Sequence, residues 1–280
     1  MNRRRILFTT ASAALVALAG CKRGQSEDAR VPEIVCTPLV PKRINRRLLI
    51  DRTTRLPEPQ TALLAHQVAA WVRDGGRLQV LRFGGTSRSL LEQVMDEQLP
   101  GDVRTPEQQL ADRWSKSPNQ VRREKFCDEK LRSDADVQRR VLQALRDTDL
   151  SPYGKSPVIE AVFGAASGLK PDEAELALMS DGVQHGAGGG SFYSNRSELA
   201  LPRIKDWLEE IRRAGLLPDL KGVRVYHLAL GLPEHYRGKQ RPAGSAAHGP
   251  RLKALWQAYW DATGANVSFG EPLYTQGLGG

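Results

Sequence analysis

The chain has 280 residues, of which 40% are hydrophobic and 26% are charged, and its formal net charge is +9. These proportions supply a sizeable core and fit one α/β domain with a tail, or at most two small domains. Basic residues are spread along the chain among acids and aromatic residues make up only 6%, which argues against nucleic-acid binding and favours a solvated basic surface.

The first 21 residues have the plan of an export signal. A cationic start at Arg3 to Arg5 precedes an apolar stretch of small residues, which is too short to favour a membrane span. The closing Leu18-Ala19-Gly20-Cys21 resembles a bacterial lipobox. This resemblance implies a signal peptide over 1–20 and a lipoprotein acylated (palmitate) at Cys21 that faces the periplasm. Lys22 favours the outer over the inner membrane, and the arginines leave the general and twin-arginine export routes open.

Two further cysteines, Cys36 and Cys127, remain in the exported chain. Because the compartment is oxidising, we expect them to form a disulfide, and the alternative is two separate buried thiols. Residues 21–45 are largely polar at their start, which predicts a tether between the lipid anchor and a folded domain.

Hydrophobic patterning predicts alternating strands and helices after the tether. Strands are predicted at 47–51, 78–83, 176–179, 223–230 and 266–269. Helices are predicted at 61–73, 119–146, 158–166, 201–214 and 251–263. Leu90 to Met95 fits either an edge strand or a short helix, and Ser156 is placed to cap the helix at 158–166. The alternation predicts an α/β fold with a doubly wound, mostly parallel sheet and helices on both faces.

Two of the predicted strands end at an acid. The stretch Arg47 to Leu56, RLLIDRTTRL, is apolar up to Asp51 and has hydroxyls at Thr53 and Thr54. The second strand ends in Ser-Asp-Gly, with Asp181 as its acid. Ligands bind at the carboxyl ends of strands in open α/β sheets. We therefore expect these two strand ends to lie side by side and to face one site.

This combination of a strand ending Asp-x-Thr, a hydroxyl before a helix and a strand ending Ser-Asp-Gly resembles the von Willebrand factor A domain over residues 46–275. The resemblance implies a Rossmann-like, doubly wound sheet with one short antiparallel edge strand. It also implies a role in adhesion or protein binding through a metal-ion-dependent adhesion site at the strand ends.

In this resemblance, Asp51 matches the first acid of the site, Thr53 the first hydroxyl, Ser156 the distant hydroxyl and Asp181 the distant acid. Such oxygen ligands suit a divalent cation, usually Mg²⁺. Arg55 stands where the family has a second serine, so one hydroxyl is lost. Its guanidinium can instead take the place of the cation by pairing with a carboxylate, and no cofactor would then bind.

We expect a non-catalytic protein-binding or assembly module that is held by lipid at the bacterial cell envelope. One alternative is a Mg²⁺-dependent phosphohydrolase with Asp51 as its nucleophile. Another is a structural lipoprotein with a dead site. His185 follows Asp181 by four residues and can overlook the site. The partner, the pathway and the oligomeric state stay open at this point.

Overall fold

The computed structural model describes residues 44–85, 90–100, 116–149, 155–192, 199–230 and 245–270. These residues form one sheet of six strands in the order β3-β2-β1-β4-β5-β6. The strands are β1 (Asn45–Asp51), β2 (Gly76–Phe83), β3 (Glu92–Leu99), β4 (Ala174–Met179), β5 (Arg224–Leu228) and β6 (Asn266–Phe269). The edge strand β3 is antiparallel to β2, and the other neighbours are parallel. The predicted mostly parallel α/β sheet is thus confirmed.

Five helices lie in the described part of the chain. They are α1 (Glu58–Trp71), α2 (Lys116–Arg146), α3 (Val158–Ala166), α4 (Ile204–Arg213) and α5 (Ser245–Thr263). The first begins three residues before the predicted start because prolines are tolerated in the first helical turn. The last begins six residues before its predicted start and continues through Pro250, which the sequence pattern treats as a boundary.

The helices pack on both faces of the sheet. Because side chains alternate along a strand, Leu48 and Ile50 of β1 lie on one face and Leu49 on the other. The first face packs against buried residues of α1 and α2, including Val68 and Val141. The second packs against α3, α4 and α5. Burial on two sides explains why the central strands are continuous apolar runs.

The strand order brings the two acid-bearing strand ends together. Strands β1 and β4 are parallel neighbours, with Ile50 opposite Met179, so Asp51 and Asp181 follow adjacent strand ends. We call the side of the sheet where the parallel strands end the carboxyl edge, and the side where they begin the amino edge. The segment from Leu90, which fits a strand or a helix in the sequence, contains the start of the edge strand β3.

Several sequence predictions concern residues outside this description. The signal peptide, Cys21, the tether and Cys36 lie before residue 44. Cys127 lies within α2, but its side chain is not described, so the disulfide stays a prediction. Over the ranges given above, none of the helices has the length and apolar character needed to cross a membrane.

Candidate functional site

Asp51 is the centre of the carboxyl edge, and its side chain is fully buried. Its Oδ1 atom accepts hydrogen bonds from the backbone N–H of Thr53 at 2.9 Å and from the Thr53 hydroxyl at 2.7 Å. Its Oδ2 atom accepts from the hydroxyls of Ser156 at 2.6 Å and Ser180 at 2.8 Å. One carboxylate thus collects hydroxyls from three separate segments of the chain.

Asp181 follows β4 and is held by the turn that comes after β1. Its backbone N–H donates to the Thr54 hydroxyl oxygen at 3.1 Å. Its own Oδ1 accepts from the backbone N–H of Val183 at 2.9 Å. In the same turn, the Gly182 N–H donates to the Ser180 hydroxyl oxygen at 3.0 Å. The two acids therefore belong to one hydrogen-bonded unit.

Gly182 allows this turn to pack closely against the rest of the domain. Its backbone φ is +78°, and a Cβ atom there would lie 2.3 Å from a methyl carbon of Leu230 and 2.7 Å from the Trp256 indole nitrogen. The same indole nitrogen donates to the Gly182 carbonyl oxygen at 2.8 Å. Only glycine combines this backbone conformation with such close packing.

The environment shifts the protonation of both acids. Burial raises the pKa of Asp51, while the hydrogen bonds from Ser156, Thr53 and Ser180 oppose that shift. Asp181 keeps partial solvent exposure, yet loss of hydration and then the negative charge of Asp51 raise its pKa to about 7. Without added positive charge, the pair therefore resists carrying two full negative charges near neutral pH.

Ser156 has a different role from the predicted helix cap. The N-cap position of α3 is taken by Pro157, without a side-chain hydrogen bond, so the predicted cap is wrong. The buried hydroxyl of Ser156 donates to Asp51 instead, because that acceptor lies directly above the helix start. The Ser156 carbonyl accepts from the His185 N–H at 2.8 Å, which places His185 beside the site. The His185 ring contacts the Ser191 hydroxyl at 2.9 Å.

The donor set fits a small, hard cation. Asp51, Thr53, Ser156 and Asp181 supply carboxylate and hydroxyl oxygens, the ligands that Mg²⁺ prefers. Gly84 lines the site, since a Cβ atom there would lie 3.1 Å from Asp51 Oδ1. The described residues contain no group of three or more His, Cys, Asp or Glu side chains arranged for a metal. Any cation here would thus depend on hydroxyl ligands.

The structure places the side chain of Arg55 at the surface, whereas Asp51 is fully buried. Among the described groups that shift the pKa values of Asp51 and Asp181, none is a cationic side chain. Replacement of the cation by the Arg55 guanidinium stays a prediction.

The glycine-rich segment after Asp181 is tied to α3. One carboxylate oxygen of Glu160 accepts from the backbone N–H groups of Gly188 at 2.7 Å and Gly189 at 3.3 Å. The other accepts from the Gln184 side-chain amide at 2.9 Å, and that amide oxygen accepts from the Ile159 N–H at 2.9 Å. Glycine is needed at position 189, where a Cβ atom would lie 2.7 Å from the Gln184 amide nitrogen and 2.8 Å from the Ile159 Cβ atom.

Sequence reasoning assigned no role to four of these residues. Thr54 and Ser180 have a local signal, since each is a hydroxyl residue next to a predicted ligand. Glu160 and Gln184 have no such signal, because their partners lie 24 to 29 residues away in the chain. Their contacts depend on how α3 packs against the turn after β4.

Comparison with known proteins gives only distant likenesses. No protein family profile matches the chain, and no curated protein matches it. The pilus adhesin SpaC from Lactobacillus rhamnosus GG, in its open conformation, is 10% identical over 85% of this chain and 29% of the adhesin, with a TM-score of 0.42. Another crystal structure of SpaC gives 10% identity, 82% and 28% coverage, and a TM-score of 0.39. The chain thus spans less than a third of the adhesin's length.

Proposed function

We propose that this chain is a von Willebrand factor A-like, non-catalytic module that binds a protein partner through its carboxyl edge. In this proposal a divalent cation, Mg²⁺ in the first instance, is held by Asp51, Thr53, Ser156 and Asp181. The cation keeps one coordination position open for an acidic group of the partner. The chain itself supplies the buried, oriented oxygens, and the cation supplies positive charge.

The observation that carries the proposal is a pair of acids with neutral neighbours. Asp51 is fully buried, and its hydrogen-bond donors among the described residues are hydroxyl and backbone amide groups. Asp181 is next to it, and its pKa is raised to about 7 by burial and by the charge of Asp51. Burying a carboxylate without a positive partner is costly. A bound cation would remove that cost.

The sheet gives separate support for the proposed family. The resemblance implies one antiparallel edge strand on an otherwise parallel sheet, and β3 has that orientation beside β2. The strand order also makes β1 the neighbour of both β2 and β4, so the sheet order changes direction at β1. Crevices at such points, outside the carboxyl ends of strands, are where open α/β sheets bind ligands.

The residue types around Asp51 favour binding over hydrolysis. A hydrolase that uses a carboxylate nucleophile also needs an acid/base partner. Residue 53, two positions on from Asp51, is a threonine and not a second acid. We therefore rank the phosphohydrolase below the binding module.

We further propose that the chain is anchored by lipid at Cys21, faces the periplasm and resides at the outer membrane. This extension depends on the lipobox-like sequence. The direction of β1 agrees with it, because the strand begins at Asn45 on the amino edge and ends at Asp51 on the opposite edge. Seven residues of strand span about 20 Å. The candidate site thus lies at the far end of β1 from the point where the chain enters the sheet.

A calorimetric titration of Mg²⁺ and Mn²⁺ into the purified protein tests the cation site. We expect saturable binding that Asp181→Asn weakens at least about tenfold, the usual scale for losing a metal-site contact. Asp219→Asn is a matched control, because Asp219 also accepts the N–H of the residue two positions on, at 3.1 Å, and is exposed. It should bind as the wild type does.

A phosphoester assay in Mg²⁺ separates the two candidate functions. We expect no turnover by protein that binds the cation. Turnover lost in Asp51→Asn would favour the phosphohydrolase. Absence of cation binding by well-folded wild-type protein would contradict the proposed site and leave a metal-independent module.

A further inference from the structure

Two buried hydroxyls that are not among the proposed ligands connect the two strand ends. Thr54, in the turn after β1, accepts the N–H of Asp181 at 3.1 Å. Ser180, in the turn after β4, donates to Asp51 Oδ2 at 2.8 Å. Each hydroxyl thus belongs to one turn and holds the acid of the other. Both residues are fully buried.

Each hydroxyl is itself fixed within its own turn. The Thr54 N–H donates to the Asp51 carbonyl at 3.1 Å. The Ser180 hydroxyl accepts the Gly182 N–H at 3.0 Å. Displacement of either turn would break hydrogen bonds in both directions and leave buried polar groups unpaired, which is costly. The two contacts therefore act as a reciprocal lock on the separation of the two acids.

Neither contact can be replaced by a side chain of the same shape without a hydroxyl. A valine at position 54 would fill the same space, but it offers no acceptor to the Asp181 N–H. An alanine at position 180 would remove one of the four donors to Asp51 and the acceptor of the Gly182 N–H. The hydroxyls are thus specifically required for the spacing of the acids.

We infer that Thr54 and Ser180 are positioning residues that fix the Asp51–Asp181 separation and so favour a small cation over a larger one. This inference rests on the proposed cation-binding function. Mg²⁺ requires near-ideal octahedral geometry at about 2.0–2.1 Å, whereas Ca²⁺ accepts variable geometry at about 2.3–2.6 Å. A rigid pair of acids satisfies the stricter ion, and a loosened pair loses that advantage.

The test compares Mg²⁺ and Ca²⁺ affinity in Thr54→Val, Thr54→Ser and Ser180→Ala. We expect the wild type to bind Mg²⁺ more tightly than Ca²⁺. Thr54→Val and Ser180→Ala should weaken Mg²⁺ binding about tenfold, because each removes a hydrogen bond that orients a cation ligand, and they should weaken Ca²⁺ binding less. The conservative Thr54→Ser should restore the preference. Thr61→Val removes a buried hydroxyl of α1 that donates to the Leu56 and Pro57 carbonyls and to neither acid of the site, and should change neither affinity. Equal losses for both ions would overturn the selectivity role.

Hydrogen exchange of the cation-free protein tests the lock without relying on metal binding. Thr54→Val should speed exchange of the Asp181 amide at least about tenfold relative to Thr61→Val, because the variant removes the hydrogen bond that protects this amide. Unchanged exchange at Asp181 would overturn the lock. If the wild type binds neither cation, the proposed function fails, while faster exchange in Thr54→Val would still support the lock itself.

Discussion

The amino edge and the carboxyl edge of β1 and β4 each contain a buried carboxylate, but the neighbours of that carboxylate differ in charge between the two edges. At the amino edge, Glu175 of β4 is 3% exposed and accepts from Arg46 at 3.0 Å and from the Trp71 indole at 2.6 Å. Arg224 pairs with its other oxygen. At the carboxyl edge, Asp51 is also buried, but the donors that the structure describes around it are all neutral.

The amino edge shows what a purely structural buried charge needs. Arg46, which is 4% exposed, also donates to the Gly75 carbonyl at 2.8 Å, pairs with Asp74 at 2.7 Å and lies over the Trp71 ring at 5.8 Å. Its charge and its hydrogen-bonding capacity are satisfied within the protein. Within the described ranges, no cationic side chain is recorded against the acids of the carboxyl edge, so we interpret that edge as a site for an external cation.

The largest loss of stability should follow from removing the buried acid of the amino edge. Glu175→Gln removes the buried acid that pairs with both Arg46 and Arg224 and leaves Arg46 with Asp74 as its counter-charge, so we expect about 3–5 kcal/mol lower free energy of unfolding in a urea titration. Asp96→Asn is the control, because Asp96 pairs with the half-exposed Arg77 and an exposed pair contributes up to about 1 kcal/mol. Equal losses of unfolding free energy in the two variants would contradict a larger contribution from the buried ion pairs of the amino edge.

Replacing an acid of the carboxyl edge by an amide should raise the free energy of unfolding, whereas the same change at the amino edge should lower it. The pKa of Asp181 is raised to about 7 in the folded protein, so the folded state binds more protons than the unfolded state between about pH 4 and 7. Cation-free stability should therefore fall as pH rises through that range. Asp181→Asn should remove this loss and be more stable by up to about 4 kcal/mol at pH 8, because the pKa of about 7 lies about 3 above the ordinary value. Unfolding titrations at pH 5 and pH 8 without divalent ions measure it. Lower stability of Asp181→Asn at pH 8 would contradict the account.

A buried histidine near the same edge makes stability change with pH in the opposite direction. His227 is fully buried against Trp256 and Trp260, and burial lowers its pKa to about 3. The unfolded state takes up a proton below about pH 6.5, so this group costs stability as pH falls from there, by about 2 kcal/mol at pH 5. His227→Phe should reduce that acid sensitivity, as read by unfolding titrations at pH 5 and pH 7. An unchanged difference between those two pH values would contradict the assignment.

These two groups should partly cancel in the wild type between about pH 4 and 6.5. Asp181→Asn should then reveal the slope caused by His227, and His227→Phe the slope caused by Asp181. Parallel pH profiles for the two variants would show that other groups dominate acid stability.

The smallest effect on stability should come from Arg55→Ser. The Arg55 side chain is exposed, so we expect a change within about 0.5 kcal/mol. The same variant supplies the hydroxyl that the resemblance places at this position, and it removes a positive charge. Affinity for Mg²⁺ in calorimetry should therefore rise severalfold. Weaker binding would show that Arg55 supports the site.

The strands and helices are largely predictable because their signals are local. Continuous apolar runs mark β1 and β4, since these strands are buried on both faces. The last strand, Asn266–Phe269, has its predicted bounds. The convergence of Asp51 and Asp181 is predictable too, because parallel strands end on one edge. The start of α5 is not, since Pro250 interrupts the pattern that the sequence offers.

Long-range hydrogen bonds account for what the sequence does not show. The sequence predicts Ser156 as a helix cap. Only the fold places its hydroxyl oxygen 2.6 Å from Asp51 Oδ2, although the two residues are 105 positions apart. Arg46 and Glu175 are 129 residues apart, so neither one marks the other in the sequence. Thr54 and Ser180 sit beside predicted ligands, but their partners are decided by which turns face each other.

A crystal structure of the protein grown with Mn²⁺ and measured at an anomalous wavelength tests the proposed cation site most directly. A cation held by the proposed ligands should give an anomalous peak bonded to Asp51, Asp181 and the hydroxyls of Thr53 and Ser156, at oxygen distances close to the roughly 2.0–2.1 Å of Mg²⁺. The peak should be lost in Asp181→Asn or markedly weakened. An ordered carboxyl edge without a peak at saturating Mn²⁺, or with a guanidinium in that position, would contradict the proposed cation site.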